Sequence, residues 1–136
     1  MAECVFCEIA NGTRHAYRIY DDNTHVAFLD LHPVVPGHTL IVPKRHYLTI
    51  TEMPHESVGH LFSLAPLIAP AVLGATGAVA FNVGQNNGSE ANQVVPHVHV
   101  HIIPRHADVP INWSSRLVPN RKKFDEMAEN MRNLLG

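Results

Sequence analysis

The segment from Pro96 to Arg105, PHVHVHIIPR, alternates three histidines with valines and runs into an isoleucine pair. Period-two spacing is that of a β-strand, so His97, His99 and His101 should share one face while Val98, Val100 and Ile102 turn to a core. A lone strand histidine is ordinarily a surface group or a satisfied core group; three in alternation make a row of imidazoles. One metal ion could be asked to take all three. Alternate side chains on a strand stand about 6.8 Å apart, however, so the outer pair is separated by roughly 13 Å, while zinc–nitrogen bonds are about 2.1 Å. A division of labour is the better reading: one histidine in a structural site, the others acting on an anion.

The two cysteines, Cys4 and Cys7, form a C-x-x-C. A thioredoxin-type redox motif should end a strand in a βαβ pattern, which is absent, and half of a zinc site is the reading that fits a histidine-rich chain. Histidine is the compositional outlier, at 11 residues against 10 for Lys and Arg combined. A net charge of −2 gives no broad basic field for nucleic acid, so an anionic ligand must be small and captured locally. The most apolar segment, Leu61 to Leu73, is interrupted by Pro66 and Pro70 and falls short of the roughly 18 residues of a membrane span. The opening MAECVFCEIA has no basic region followed by an apolar one, so it does not read as a signal peptide, and a cytoplasmic, reducing location is expected.

These side chains need elements to position them. At 136 residues and 46% hydrophobic, the chain should bury one core and form one domain. Val5, Phe6 and Ile9 predict a short helix ending near Gly12, and Tyr17–Tyr20 and Val26–Leu29 predict strands paired around the Asp21-Asp22-Asn23 turn. A strand is expected over His38–Val42. A helix should start at Pro54, with Leu61, Phe62, Ala65, Ala69 and Leu73 as its apolar stripe and a kink at Pro66. Gly74–Gly77 reads as a turn and Ala78–Val83 as a strand. The polar loop Gly84–Gln93 is longer than a hairpin needs, which points to a task of its own. The tail from Pro104 to Pro119 reads as irregular, and Asn120 can cap a final helix carrying Phe124, Met127, Met131 and Leu134. The sum is an α+β domain: a meandering antiparallel sheet with packed helices.

The residues so assembled resemble the histidine triad (HIT) family of nucleotide hydrolases and transferases, in its zinc-binding C-x-x-C form. The run His97 to Ile103 fits the family's three histidines separated by apolar residues and followed by two more. FCEIANG, FLD, GHTLIVPKRH and GQNNG followed by Gln93 look like family segments in the same order, so the resemblance extends from Cys4 to Arg105. It implies a five-stranded sheet that joins another across a homodimer into ten strands, with residues 1–136 as one triad domain whose C-terminal tail and helix begin at about 104.

The resemblance also implies roles. His99, the middle histidine, would be the nucleophile, attacking phosphorus as a neutral imidazole with its other nitrogen held by a backbone carbonyl. His101 would donate to a nonbridging oxygen or to the leaving group, and His38 matches the family's fourth active-site histidine. Asn86 and Gln93 would be neutral donors to phosphate, and Asp30 would accept from the ribose hydroxyls. Val5, Phe6, Ile9 and Phe28 match the slot that sandwiches the purine, although core packing explains those four equally well. Cys4, Cys7, His46 and His97 would form a closed, structural zinc site. Val94 stands where many members carry Ser or Thr, and Asn92 replaces a usual glycine. Trp113 resembles a tail tryptophan that completes a pocket across the dimer. The implied activity is hydrolysis or transfer at the α-phosphorus of a purine nucleotide derivative, of adenosine phosphoramidate or adenylate type. Diadenosine polyphosphate hydrolysis, and a zinc-stabilised nucleotide-binding module without significant catalysis, are the alternatives.

Overall fold

The computed structural model describes residues 4–136; the first three residues of the stretch read for a leader lie outside it. Helix α1 (Val5–Asn11) is followed by strands β1 (Arg18–Asp21), β2 (His25–Leu29) and β3 (Thr39–Pro43), helix α2 (His55–Thr76), strands β4 (Ala80–Gln85) and β5 (Val100–Arg105), and helix α3 (Arg121–Leu135). The strands make one antiparallel sheet in the order β1-β2-β3-β5-β4. This is the expected α+β architecture, with element ends displaced by a few residues.

Strand alternation sorts side chains onto two faces. Ala27, Leu29, Ile41, Val100 and Ile102 join Leu61, Leu64, Ile68 and Val72 of α2 and Met131 of α3 in the main core. Val26, Phe28, Leu40 and Val42 turn the other way and pack with Phe6 and Ile9 of α1. Every residue of β2 and β3 is buried, so the middle of the sheet is covered on both sides.

Helix α2 departs from expectation. It runs unbroken for 22 residues through both Pro66 and Pro70, and Gly74 lies inside it rather than in a turn. Each proline removes one backbone donor, but burial of Leu61, Leu64, Ala65, Ile68, Ala69, Ala71 and Val72 holds the helix where propensity alone would not. The chain leaves it at Gly77, in the left-handed conformation. The helix is long and apolar enough to cross a bilayer by length and composition; here its apolar face covers the sheet.

Two further boundaries move. Pro104 and Arg105, read as tail, belong to β5, where they pair with Phe81 and Ala80 of β4. The histidine segment enters the sheet late, because pairing of β5 with β3 begins at Val100 opposite Ile41. His97 and His99 therefore precede the strand, yet the alternation survives: Val98, Val100 and Ile102 all reach the main core.

Candidate functional site

The four members of the cysteine–histidine set come together. Cys4 caps α1, its sulfur accepting from the backbone N–H of Cys7 at 3.4 Å. The Nδ1 of His97 stands 3.3 Å from Cys4 Sγ, 3.6 Å from Cys7 Sγ and 3.2 Å from His46 Nδ1, and His46 Nδ1 is 3.4 Å from Cys7 Sγ. Ligand atoms around a tetrahedral zinc are about 3.4–3.8 Å apart, given bonds of about 2.1 Å to nitrogen and 2.3 Å to sulfur. The four donors thus surround a point that zinc would fit. His97 Nε2 donates to the carbonyl of Pro43 at 2.8 Å, which leaves the Nδ1 lone pair facing the sulfurs. Burial, then the adjacent Cys4, push the Cys7 thiol up to about 11. A cation is what would hold such a pair as thiolates.

His99 faces a different space. A cavity of about 580 Å³ is lined by Val5, Phe6 and Ile9 of α1, by Leu40, Val94 and Val95, and by the polar groups of Asp30, His99, His101 and Arg116. His99 Nδ1 lies 2.7 Å from the backbone oxygen of His97. Carbonyls only accept, so Nδ1 carries the hydrogen and Nε2 keeps its lone pair. Burial lowers the His99 pKa, against the opposing pull of that hydrogen bond and of Asp30, so the ring is neutral near pH 7.

A chain of donors assigns His101 the opposite tautomer. The backbone N–H of Val34 donates to His38 Nδ1 at 3.2 Å, which leaves the proton of His38 on Nε2, 2.8 Å from His101 Nδ1. His101 Nδ1 then accepts, and its own proton sits on Nε2. Desolvation is the leading cause that drives His38 to about 2 and His101 to about 3, with their mutual repulsion adding to it for His38. Side by side, with ring centroids 4.8 Å apart, stand an imidazole with a free lone pair and an imidazole with a free N–H. This pairing can attack an electrophile and donate to the same group.

His38 reaches this position through Gly37, whose φ is +93° and whose Cβ, if present, would lie 2.3 Å from Thr76 Cγ2. Its side chain is wholly buried behind His101. Expected among the catalytic histidines, it does not line the cavity and meets it only through His101.

The remaining expected residues divide. Val5, Phe6 and Ile9 line the cavity, and the ring of Phe6 meets His99 edge-on at 5.1 Å. Phe28 does not line it; it lies behind Phe6, centroids 5.5 Å apart, as a core residue. Asn86 and Gln93 do not line it either. The Gln93 amide donates to Leu48 O and accepts from Gly88 N, both at 2.7 Å, so it ties the polar loop down instead of facing His99. Asn86 turns to the carbonyl of Asn92. Asn92 adopts φ 68°, the left-handed conformation open to Asn as to Gly.

A model of the HIT domain matches residues 11–108. The chain belongs to the HIT family. It is 40% identical over 129 residues to adenylylsulfatase HINT3 of Arabidopsis thaliana, covering 95% of this chain and 66% of that one. It is 37% identical over 102 residues to the adenosine 5′-monophosphoramidase hnt1 of Schizosaccharomyces pombe, covering 75% and 74%. A zinc-bound histidine triad family protein from Mycobacterium smegmatis superposes with a TM-score of 0.87 at 34% identity, over 98% of this chain and 93% of that one.

Six cavity residues of this HIT chain escaped sequence reasoning: Arg14, Leu31, His32, Leu40, Val95 and, with the most polar contacts to the site, Arg116. Arg116, in the tail, donates to His32 O at 2.8 Å, approaches Asp30 Oδ2 at 3.5 Å and lies over the Trp113 ring. Nothing in the spacing around it marks it. Trp113 stands 5.5 Å from His101 and 6.1 Å from His38 of its own chain, centroid to centroid.

Proposed function

We propose that the protein hydrolyses purine nucleotide derivatives at the α-phosphorus, through a covalent nucleotidyl adduct on His99. The observation that carries this reading is the His99–His97 hydrogen bond, which leaves a neutral Nε2 lone pair at the cavity. In the first step His99 Nε2 bonds to phosphorus as the bond to the leaving group breaks. His101 Nε2–H donates to a nonbridging oxygen, and the leaving amine or acid departs with a proton from His101 or solvent. Water then cleaves the phosphorus–nitrogen bond, releasing the nucleoside monophosphate and restoring the neutral ring, while the proton lost by the water returns to His101 or, where solvent protonated the leaving group, to solvent. A neutral nucleophile approaches the phosphate anion without charge repulsion.

The relatives' names support this class of substrate, one acting on an adenylyl sulfate and another on an adenosine phosphoramidate. Val94 lines the cavity without a hydroxyl, so on this reading the donation to the reacting group falls to His101. Zinc on Cys4, Cys7, His46 and His97 would be structural, because four protein donors leave it no open position. Homodimerisation belongs to the same reading: β4 is a sheet edge, and Val79, Phe81 and Val83 in and beside it are exposed. Light scattering tests it.

The deciding experiment incubates the protein with adenosine 5′-phosphoramidate, adenylyl sulfate and a diadenosine polyphosphate, quenches it, and seeks an acid-labile nucleotidyl group on His99 by mass spectrometry. Turnover by His99→Ala at the wild-type rate would remove the proposal. Turnover of the dinucleotide alone would move the substrate class while keeping the nucleophile.

A further inference from the structure

A second cluster of ligand-type side chains lies where the turn between β1 and β2 meets helix α2, and it shares no residue with the cysteine cluster. Asp22 is fixed by the turn itself. Its Oδ1 accepts from the backbone N–H groups of Thr24 and His25, both at 2.7 Å, and from the Thr24 hydroxyl at 3.2 Å; its Oδ2 accepts from Tyr20 Oη at 2.7 Å. Burial opposes the charge on Asp22, but these hydrogen bonds outweigh it and hold the carboxyl down at about 2.

The Thr24 hydroxyl sets the tautomer of His25. With its hydrogen given to Asp22, Thr24 Oγ1 can only accept from His25 Nδ1, 2.8 Å away. The His25 lone pair is therefore on Nε2. His25 is 3% exposed, and Nε2 is buried with no hydrogen-bond partner among the described residues. Among the described residues Arg105 Nε is the one other buried side-chain polar atom without a partner, and an unpaired imidazole nitrogen so deeply buried calls for an explanation. Against that ring, centroids 4.4 Å apart, lies His60 of α2, whose Nε2 is 4.0 Å from Asp22 Oδ2. One donor atom from each of Asp22, His25 and His60 lies within 4.8 Å of the others.

We propose that Asp22, His25 and His60 bind a divalent first-row transition ion such as zinc, cobalt or nickel. Two neutral imidazoles and one carboxylate are the donor set such ions prefer over magnesium or calcium, which favour all-oxygen sites. Asp22 and His25 are held by the turn before any ion arrives. His60 is half-exposed, so it can swing the short distance that brings the three donors to bonding range. Water would complete the coordination from the exposed side. The ion would tie the β1–β2 turn to α2.

The test uses the full chain as purified, desalted and titrated with Zn²⁺ and separately with Co²⁺, with bound metal counted by mass spectrometry of the dialysed protein. Wild type should take up one equivalent that His60→Ala does not, or that His60→Ala binds at least about tenfold more weakly. That equivalent is defined by its dependence on His60, whatever the cysteine cluster holds. Cobalt in it should show no thiolate charge-transfer absorption, which separates it from exchange at Cys4 and Cys7. Zinc should also shift the His25 ring nitrogens in wild-type NMR spectra. Equal uptake by wild type and His60→Ala, or an unmoved His25 ring, overturns the proposal.

Discussion

His99 Nδ1 donates to the backbone carbonyl of His97, 2.7 Å away, and the side chain of His97 is one of the four donors around the cysteine–histidine cluster. The residue that aims the proposed nucleophile is therefore the residue that a zinc ion would fix. Loss of the cluster should reach the chemistry through one peptide unit.

Removing the metal, or replacing Cys7 by Ser, should accordingly do two things. It should lower Tm by at least about 10 °C, since structural zinc contributes several kcal/mol to a domain of this size. It should also cut kcat about tenfold or more while KM changes less, because the defect lies in how His99 is held. Calorimetry and steady-state kinetics on chelated and reconstituted protein check this. Full kcat in metal-free protein would uncouple the cluster from His99.

The tautomer chain from Val34 through His38 to His101 predicts a second outcome. His38→Ala removes the donor to His101 Nδ1, so the His101 proton no longer has a fixed home on Nε2. A preorganised donor of this kind contributes about 3–4 kcal/mol to a transition state, so kcat should fall by about 100-fold or more, with little change in KM. Nitrogen-15 NMR should show His101 protonated on Nε2 in wild type and mixed in the variant. An unchanged His101 spectrum with impaired kcat would place the effect of His38 elsewhere.

Much of this was legible because strand alternation is a strong pattern. Val98, Val100 and Ile102 could be assigned to the core, and the histidines between them to the opposite side, without coordinates. Strand spacing alone excluded one ion on all three histidines without saying which of them joins the cysteines; the resemblance pointed to His97, and the structure does place His97 with the cysteines and His99 with the cavity. What could not be read was competition for polar groups. Gln93 looks like any loop amide, and only the geometry shows both its ends engaged by Leu48 and Gly88. Phe28 and Phe6 are alike in a sequence; which one walls the cavity depends on which lies in front. Arg116 belongs to a tail with no periodicity. The prolines of α2 misled because propensity is local and the burial that overrides it is tertiary.

Asp30 illustrates that competition and gives a third prediction. Its Oδ1 accepts from His32 N at 2.9 Å and its Oδ2 faces Arg116, while burial raises its pKa against the pull of those groups. A ribose hydroxyl entering the cavity would share Oδ2 with Arg116. Hydrogen bonds to a charged acceptor contribute about 1.5–3 kcal/mol. Asp30→Asn should therefore raise KM for a ribonucleotide substrate by about tenfold or more and barely alter KM for its 2′,3′-dideoxy analogue. An equal penalty for both substrates would exclude a ribose contact.

The buried imidazoles set the response of stability to acid. His38 and His101, at about 2 and about 3, stay neutral in the folded protein at pH values where an unfolded chain protonates its histidines near 6.5, and His99, also lowered, takes up its proton later than it would in the unfolded chain. Above that value both states are neutral and these rings contribute no pH dependence. Below it the unfolded chain binds more protons than the folded one, so stability falls as pH falls. The slope is about 1.4 kcal/mol per pH unit for each ring that remains unprotonated. Denaturant melts between pH 7.5 and 5 should show a flat region followed by a decline below about 6.5, and His38→Asn should make that decline shallower. A stability that rises on acidification through this window would mean that these rings are charged in the folded state, and a charged His99 would have no lone pair with which to attack phosphorus.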